Sequence, residues 1–205
     1  VLTIKEIRDF WHALDQAAMS PSIRMALRLL LATAQRKGEI AGAEWNEFDL
    51  PERMWTIPAS RAKNGLAHRV PLSELSLDLL TRIREVSGDS QWLFPSPLGD
   101  RPIQAHAIDR AVRNNRDGIP VANLRPHDLR RTGATQMTSN GVQRSTVSKI
   151  LNHVERGITA VYDRSSYDQP KREALELWGR ILAETVGHEV DSEANVVRLQ
   201  RIRGN

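Results

Sequence analysis

The chain has 205 residues, no cysteine and a formal charge of +4, from 29 Lys plus Arg against 25 Asp plus Glu. This length suits one domain with a sizeable core. The missing thiols exclude disulfides, a thiolate nucleophile and a cysteine-based zinc site. No apolar run approaches the roughly 18 residues that a membrane span needs, and no signal-peptide pattern opens the chain. The first residue is Val1 rather than methionine, as in a piece of something longer. The basic surplus is modest, and it favours an anionic partner only if the arginines gather on one surface.

Thr3 followed by Glu6 is a capping-box pattern that predicts a first helix through "IKEIRDFWHAL". Ser20–Pro21 opens a second helix, in which Ile23, Leu27, Leu30 and Leu31 recur at helical spacing and face a core. A shorter helical piece follows through "RKGEIAGA". The runs "WNEFDL", "MWTIP" and "HRVPL" are β-prone and separated by turn residues, as in a small antiparallel sheet. Between the last two, Asn64–Gly65 is a tight-turn signal that places Lys63 at or beside a hairpin tip.

Ser73 can cap a helix through "LSLDLLTRIREV", and "SGDSQWLFPSPLGDRP" reads as an irregular connector. A basic helix around "AIDRAVRNN" carries Arg110 and Arg113 and leads to a loop ending at Leu124–Arg125. From Pro126 onward the pattern is helical: 126–140, about 144–152, 157–164 and 169–186, punctuated by Gly141 and Gly157. Residues 187–205 lose periodicity and are expected to form a mobile tail behind a domain of residues 1–186. The class is α+β, mostly α, with a small three-stranded antiparallel sheet.

Several short patterns carry chemistry only in combination. In "RPHDLRRT", Pro126 fixes the helix start, so His127 and Arg130 fall three apart near an N-terminus that suits an anion. In "QRKGE", Arg36 and Glu39 are three apart, as a surface ion pair or as a guanidinium fork steadied by a carboxylate. Lys63 at a turn is either a solubilising residue or an ammonium able to give a proton to a leaving oxygen. His153 stands nine residues before Tyr162, and Tyr162 and Tyr167 are the only two tyrosines of the chain.

Taken in order, Arg36, Lys63 on a β-turn, His127-x-x-Arg130, His153 and Tyr162 resemble the catalytic domain of tyrosine recombinases, the phage integrase family, especially integrases of prophages and genomic islands. The segments "QRKGE", "AKNGLAHRVPLS", "RPHDLRRT" and "LNHVERGITAVYDR" carry the resemblance, which covers about residues 1–180. It implies a site-specific DNA recombinase that cleaves and rejoins strands through a 3′-phosphotyrosyl intermediate. Arg36 and Arg130 would clamp the phosphate, with a hydrogen bond from His153. His127 would be the base for a phenol whose unperturbed pKa is about 10. Lys63 would be the general acid, Tyr162 the nucleophile and Glu39 a supporting residue.

No metal or other cofactor is expected, since arginines would neutralise the phosphate. The expected partners are double-stranded DNA at attachment sites and, on DNA, three further copies in a homotetramer. The protein would be a monomer off DNA, with an excisionase or DNA-bending accessory proteins as further partners. The implied location is the cytoplasm of a bacterial host, with no membrane association. Arg110 and Arg113 are expected to add DNA-backbone contacts. Integrases of this type carry DNA-binding domains ahead of the catalytic domain. The 205 residues hold no such segment, so weak specific binding is expected of them alone. The competing readings are a type IB topoisomerase-like nicking and closing enzyme, and a catalytically silent DNA-binding module.

Overall fold

The computed structural model describes residues 1–153 and 167–189. The first helix, α1 (Ile4–Gln16), starts where the capping box predicts: Thr3 Oγ1 accepts from Glu6 N–H, and the Glu6 carboxylate accepts from Thr3 N–H. Next comes α2 (Pro21–Thr33), capped by Ser20 with proline at its first turn. From Ala26 to Thr33 every residue of α2 is buried, so this helix runs through the middle of the core. It ends on Ala34 in the left-handed region (φ 54°), and the chain re-enters helix at once as α3 (Lys37–Ala41).

Three short strands follow: β1 (Phe48–Asp49), β2 (Met54–Ile57) and β3 (His68–Pro71), antiparallel in the order β1-β2-β3. The run "WNEFDL" is only partly a strand, contrary to expectation. Trp45–Glu47 is a 3₁₀ turn, and the strand is confined to Phe48 and Asp49. Side-chain demands explain the difference. The Glu47 carboxylate is turned to accept from Trp55 Nε1 (2.8 Å) and Arg61 Nε (2.6 Å), which an extended Glu47 in the pleat would not reach. Phe48 meanwhile stacks on Trp55 at 5.2 Å between ring centroids.

The sheet is followed by α4 (Glu74–Ser87), capped by Ser73 as expected and packed on α2. Beyond the connector lie α5 (Ala105–Asn114), α6 (Pro126–Ser139) and α7 (Arg144–Ile150). The last described helix, α8 (Asp168–Val186), packs against α1, α4, α6, α7 and β3. Its buried face is Ala174, Leu175, Trp178, Leu182, Ala183 and Val186. Leu177 and Ile181 are half-buried at its margin.

Two close approaches position the site. A Cβ at Gly133 of α6 would meet Ala34 Cβ at 3.2 Å and Trp178 Nε1 at 3.4 Å, so glycine there lets α6 press on the end of α2. Trp178, fully buried, donates Nε1–H to Leu31 O at 2.9 Å and ties α8 to the same helix. The expected piece at 157–164, including Gly157 and Tyr162, lies outside the described residues, as does most of the expected tail.

Candidate active site

The site is assembled around the C-terminal end of α7. That helix closes in a Schellman motif: Asn152 N–H donates to Lys149 O (3.1 Å), and His153 N–H to Ser148 O (3.1 Å). Asn152 takes the left-handed position of the motif, with φ 49°. The motif satisfies the carbonyls of residues 148 and 149 but leaves those of Ile150, Leu151 and Asn152 facing inward without helix partners.

Side chains from four other elements fill those acceptors in turn. Gln35 Nε2 (3.1 Å) and His68 Nε2 (3.0 Å) bond Ile150 O. The Arg130 guanidinium donates to Leu151 O and, at 2.9 Å, to Ala34 O. Arg36 Nη2 (3.2 Å) and Asn64 Nδ2 (3.3 Å) bond Asn152 O. The partial negative charge of the helix end thus gathers the cationic groups, which are distant in sequence.

Arg36 is the N-cap of α3 rather than a residue on its face, as the three-residue spacing with Glu39 had suggested. The Glu39 carboxylate accepts from both the Arg36 backbone N–H (3.1 Å) and Arg36 Nη1 (3.0 Å). Glu39 is buried, so its charge is desolvated and directed at one guanidinium. Arg130 is also buried, yet among the described residues it has only backbone carbonyls as partners. It therefore retains its full positive charge. Burial, and secondarily repulsion from Arg36, lowers its pKa to about 10, still well above neutrality. Each guanidinium has five N–H groups and spends two of them here, leaving donors free for an anion.

His127 occupies the second helical position of α6 and is exposed. Partial burial and then the charge of Arg130 lower its pKa, so it is a neutral imidazole at pH 7. His153, the last residue of the Schellman motif, is lowered likewise by burial and then by Arg130 and Arg36. Lys63 sits in the loop of residues 58–67, which bows out beyond the terminal Ile57↔His68 pair as a longer excursion than a two-residue hairpin. The expected turn is there, with Gly65 at φ 70° and its N–H on Ala62 O (2.9 Å), and Lys63 lies beside it, exposed. Arg61 of the same loop is clamped by Glu47 and also reaches Glu39 O, at 3.3 Å.

Arg36, Glu39, Lys63, His127 and Arg130 together line one cavity of about 390 Å³. Its charge is in surplus: Glu39 offsets Arg36, while Arg130 and Lys63 add two positive charges at the mouth of a helix-end cluster. Such a cavity suits an anion offering two non-bridging oxygens. Arg113 lines an adjoining cavity with Lys37, Arg116, Arg125 and His127. Arg110 does not join it, but lines a separate groove with Met19 and Leu98. Tyr162 lies outside the described residues. Tyr167 is the N-cap of α8, with Lys149 Nζ 5.0 Å from its ring centroid, a packing position.

The residues that sequence reasoning missed are Gln35, His68, Asn64 and Asn152. Asn64 was visible only as a turn residue, and Asn152 carried a signal of its own, as asparagine following an apolar helix end is a left-handed cap candidate.

The model of the phage integrase family matches residues 1–169. The chain belongs to that family. Prophage integrase IntZ of Escherichia coli (strain K12) is 33% identical over 177 residues, covering 85% of this chain and 43% of IntZ. Prophage integrase IntA of the same organism is 28% identical over 180 residues, covering 86% and 43%. The chain thus spans less than half the length of these relatives. Among solved structures, that of XerA recombinase superposes with a TM-score of 0.63 at 23% identity, covering 84% of this chain and 62% of that one. The catalytic core of lambda integrase superposes with a TM-score of 0.61 at 19% identity, covering 76% and 94%. These likenesses establish the tyrosine recombinase catalytic fold, α+β and mostly helical, with its small antiparallel sheet.

Proposed function

We propose that this chain is the catalytic domain of a site-specific DNA recombinase acting through a 3′-phosphotyrosyl intermediate. The observation that carries it is the convergence of Arg36, Arg130, Lys63 and His127 on one cavity, beside the helix end that presents His153. Arg36 and Arg130 hold the two non-bridging oxygens of the scissile phosphate, and His153 adds a hydrogen bond. Tyr162, nine residues after His153, supplies the nucleophile. Its phenol gives a proton to neutral His127 as its oxygen bonds phosphorus. The bond from phosphorus to the 5′-oxygen breaks, and Lys63 protonates that oxygen. The exchange conserves a phosphodiester-like bond, so a 5′-hydroxyl from another strand reverses it without ATP. Glu39 orients Arg36.

In this reading the partner is double-stranded DNA at attachment sites. One solved neighbour is a lambda integrase tetramer bound to a Holliday junction, which supports a homotetramer on DNA here; off DNA the proposed state is a monomer. An excisionase or a DNA-bending protein completes the assembly. The proposed domain is residues 1–186, a reading supported by the end of α8 at Val186, where Gly187 adopts φ 64°. Among the described residues no helix is long and apolar enough to cross a membrane. The proposed location is the bacterial cytoplasm.

The test is a covalent-adduct gel with nicked suicide duplexes in EDTA. Wild type and Tyr167→Phe should form the adduct, and Tyr162→Phe should bind DNA without forming it. An adduct mapped to Tyr167, or a cleaving Tyr162→Phe protein, would overturn the assignment.

A further inference from the structure

Lys63 is exposed on a loop, whereas a general acid must be held within hydrogen-bond reach of one oxygen. Its neighbour Asn64 shows how that is done. Asn64 Nδ2 donates to Asn152 Oδ1 (2.9 Å) and to Asn152 O (3.3 Å), and Asn152 Nδ2 donates back to Asn64 Oδ1 (3.2 Å). The orientation of the Asn64 amide is dictated by its other contact. Leu66 N–H, which can only donate, bonds Asn64 Oδ1 at 3.1 Å, so Nδ2 must face Asn152. The two residues are 88 apart in sequence, and the pair joins two pieces of the site at the tip of the loop, beyond the His68–Ile150 bond at its base. One is the Lys63 loop. The other is the α7 end, whose Asn152 carbonyl also receives Arg36 and whose next residue is His153.

We propose that Asn64 and Asn152 form a positioning pair that locks the Lys63 loop to the end of α7. The amide–amide contact then couples the proton donor to the phosphate clamp, while His68 at the loop's end and Arg61 at its start anchor the loop on either side. The proposal rests on the recombinase reading for Lys63 as acid, but the contact itself does not. Neither asparagine touches the reacting atoms. Both act through neighbours: Asn64 through Lys63, and Asn152 through His153 and Arg36. The left-handed backbone of Asn152 makes a clean variant possible, because glycine adopts φ 49° without steric cost and removes only the amide.

Two measurements test the pair on the 205-residue chain. Without DNA, Asn152→Gly should speed trypsin nicking after Lys63 by about tenfold, read by mass spectrometry. Losing the two hydrogen bonds made by the Asn152 amide frees the loop to that extent. In single-turnover cleavage, Asn64→Ala and Asn152→Gly should each slow an ordinary suicide duplex by up to about 10²-fold. Both should recover most of the rate on a 5′-bridging sulfur duplex, whose leaving group needs no proton. A merely structural defect would slow both duplexes alike. The double variant should be no slower than either single one, because the two side chains act as one contact. Unchanged nicking in Asn152→Gly, absent sulfur recovery, or multiplying defects would each overturn the pair. If wild type forms no adduct, the recombinase reading fails, while the nicking result still decides whether the contact holds the loop.

Discussion

Acidification should loosen this fold through a single buried imidazole. His68 lies on β3, only 4% exposed, with its Nε2 donating to the Ile150 carbonyl at the end of α7. Burial, and then the charge of Lys171, lowers its pKa from 6.5 to about 4, outweighing the hydrogen bond, which raises it. In the unfolded chain the same imidazole titrates near 6.5, so between these values the unfolded state binds the extra proton. The stability contribution is therefore present above about pH 6.5 and is lost as pH falls towards about 4. At about 1.4 kcal/mol per pH unit, the loss between pH 7 and pH 4.5 is about 2–3 kcal/mol. Other groups titrate in this range, so the measurement must be a difference. His68→Gln keeps an N–H donor for Ile150 O but does not titrate. Urea denaturation of wild type and His68→Gln at pH 7 and 4.5, followed by tryptophan fluorescence, should show the wild type losing about 2–3 kcal/mol more than the variant. Parallel losses in the two proteins would refute the claim that His68 is buried neutral.

Lys63→Ala should slow cleavage by about 10²–10⁴-fold and recover most of the rate on the 5′-bridging sulfur duplex; no recovery would make Lys63 a phosphate ligand instead. Because His127 is held below its ordinary 6.5, the acid limb of the single-turnover rate should have its midpoint below pH 6.5, and a midpoint above pH 7 would contradict a neutral base. DNA binding should weaken steeply with salt. Arg113→Gln should reduce the slope of log affinity against log salt by about 1, whereas Arg110→Gln should leave it unchanged, as only Arg113 lies beside the site.

The local elements were legible because their signals are local. The Thr3–Glu6 box, Ser20–Pro21, Ser73 and Arg125–Pro126 mark four helix starts where the structure has them. Capping chemistry acts within one turn and needs no tertiary context. The order of Arg36, Lys63, His127, Arg130, His153 and Tyr162 identified the family for a similar reason: it is a property of the linear chain. Where the pattern failed, packing had overruled propensity. Trp45–Glu47 coils because Glu47 must meet Trp55 and Arg61, and the signal for those contacts is spread over residues 47 to 61.

What the linear chain could not express is how the cationic residues are held together. Gln35, Arg36, Asn64, His68 and Arg130 come from α3, the β2–β3 loop, β3 and α6 and their flanks, and they share only the carbonyls of Ile150, Leu151 and Asn152. A backbone carbonyl has no residue identity, so no sequence motif marks it as a ligand. Only the fold leaves those three unpaired at a helix end and brings donors to them. Likewise Arg110 and Arg113 are equivalent basic residues in sequence. The packing of α5 between two cavities assigns them to different ones, although a three-residue step keeps them neighbours on the helix. The sequence alone determines which chemistry is available, since side-chain identity and capping are encoded residue by residue. Tertiary structure alone decides which of those groups act together, because convergence depends on backbone acceptors and helix faces that the linear pattern does not specify.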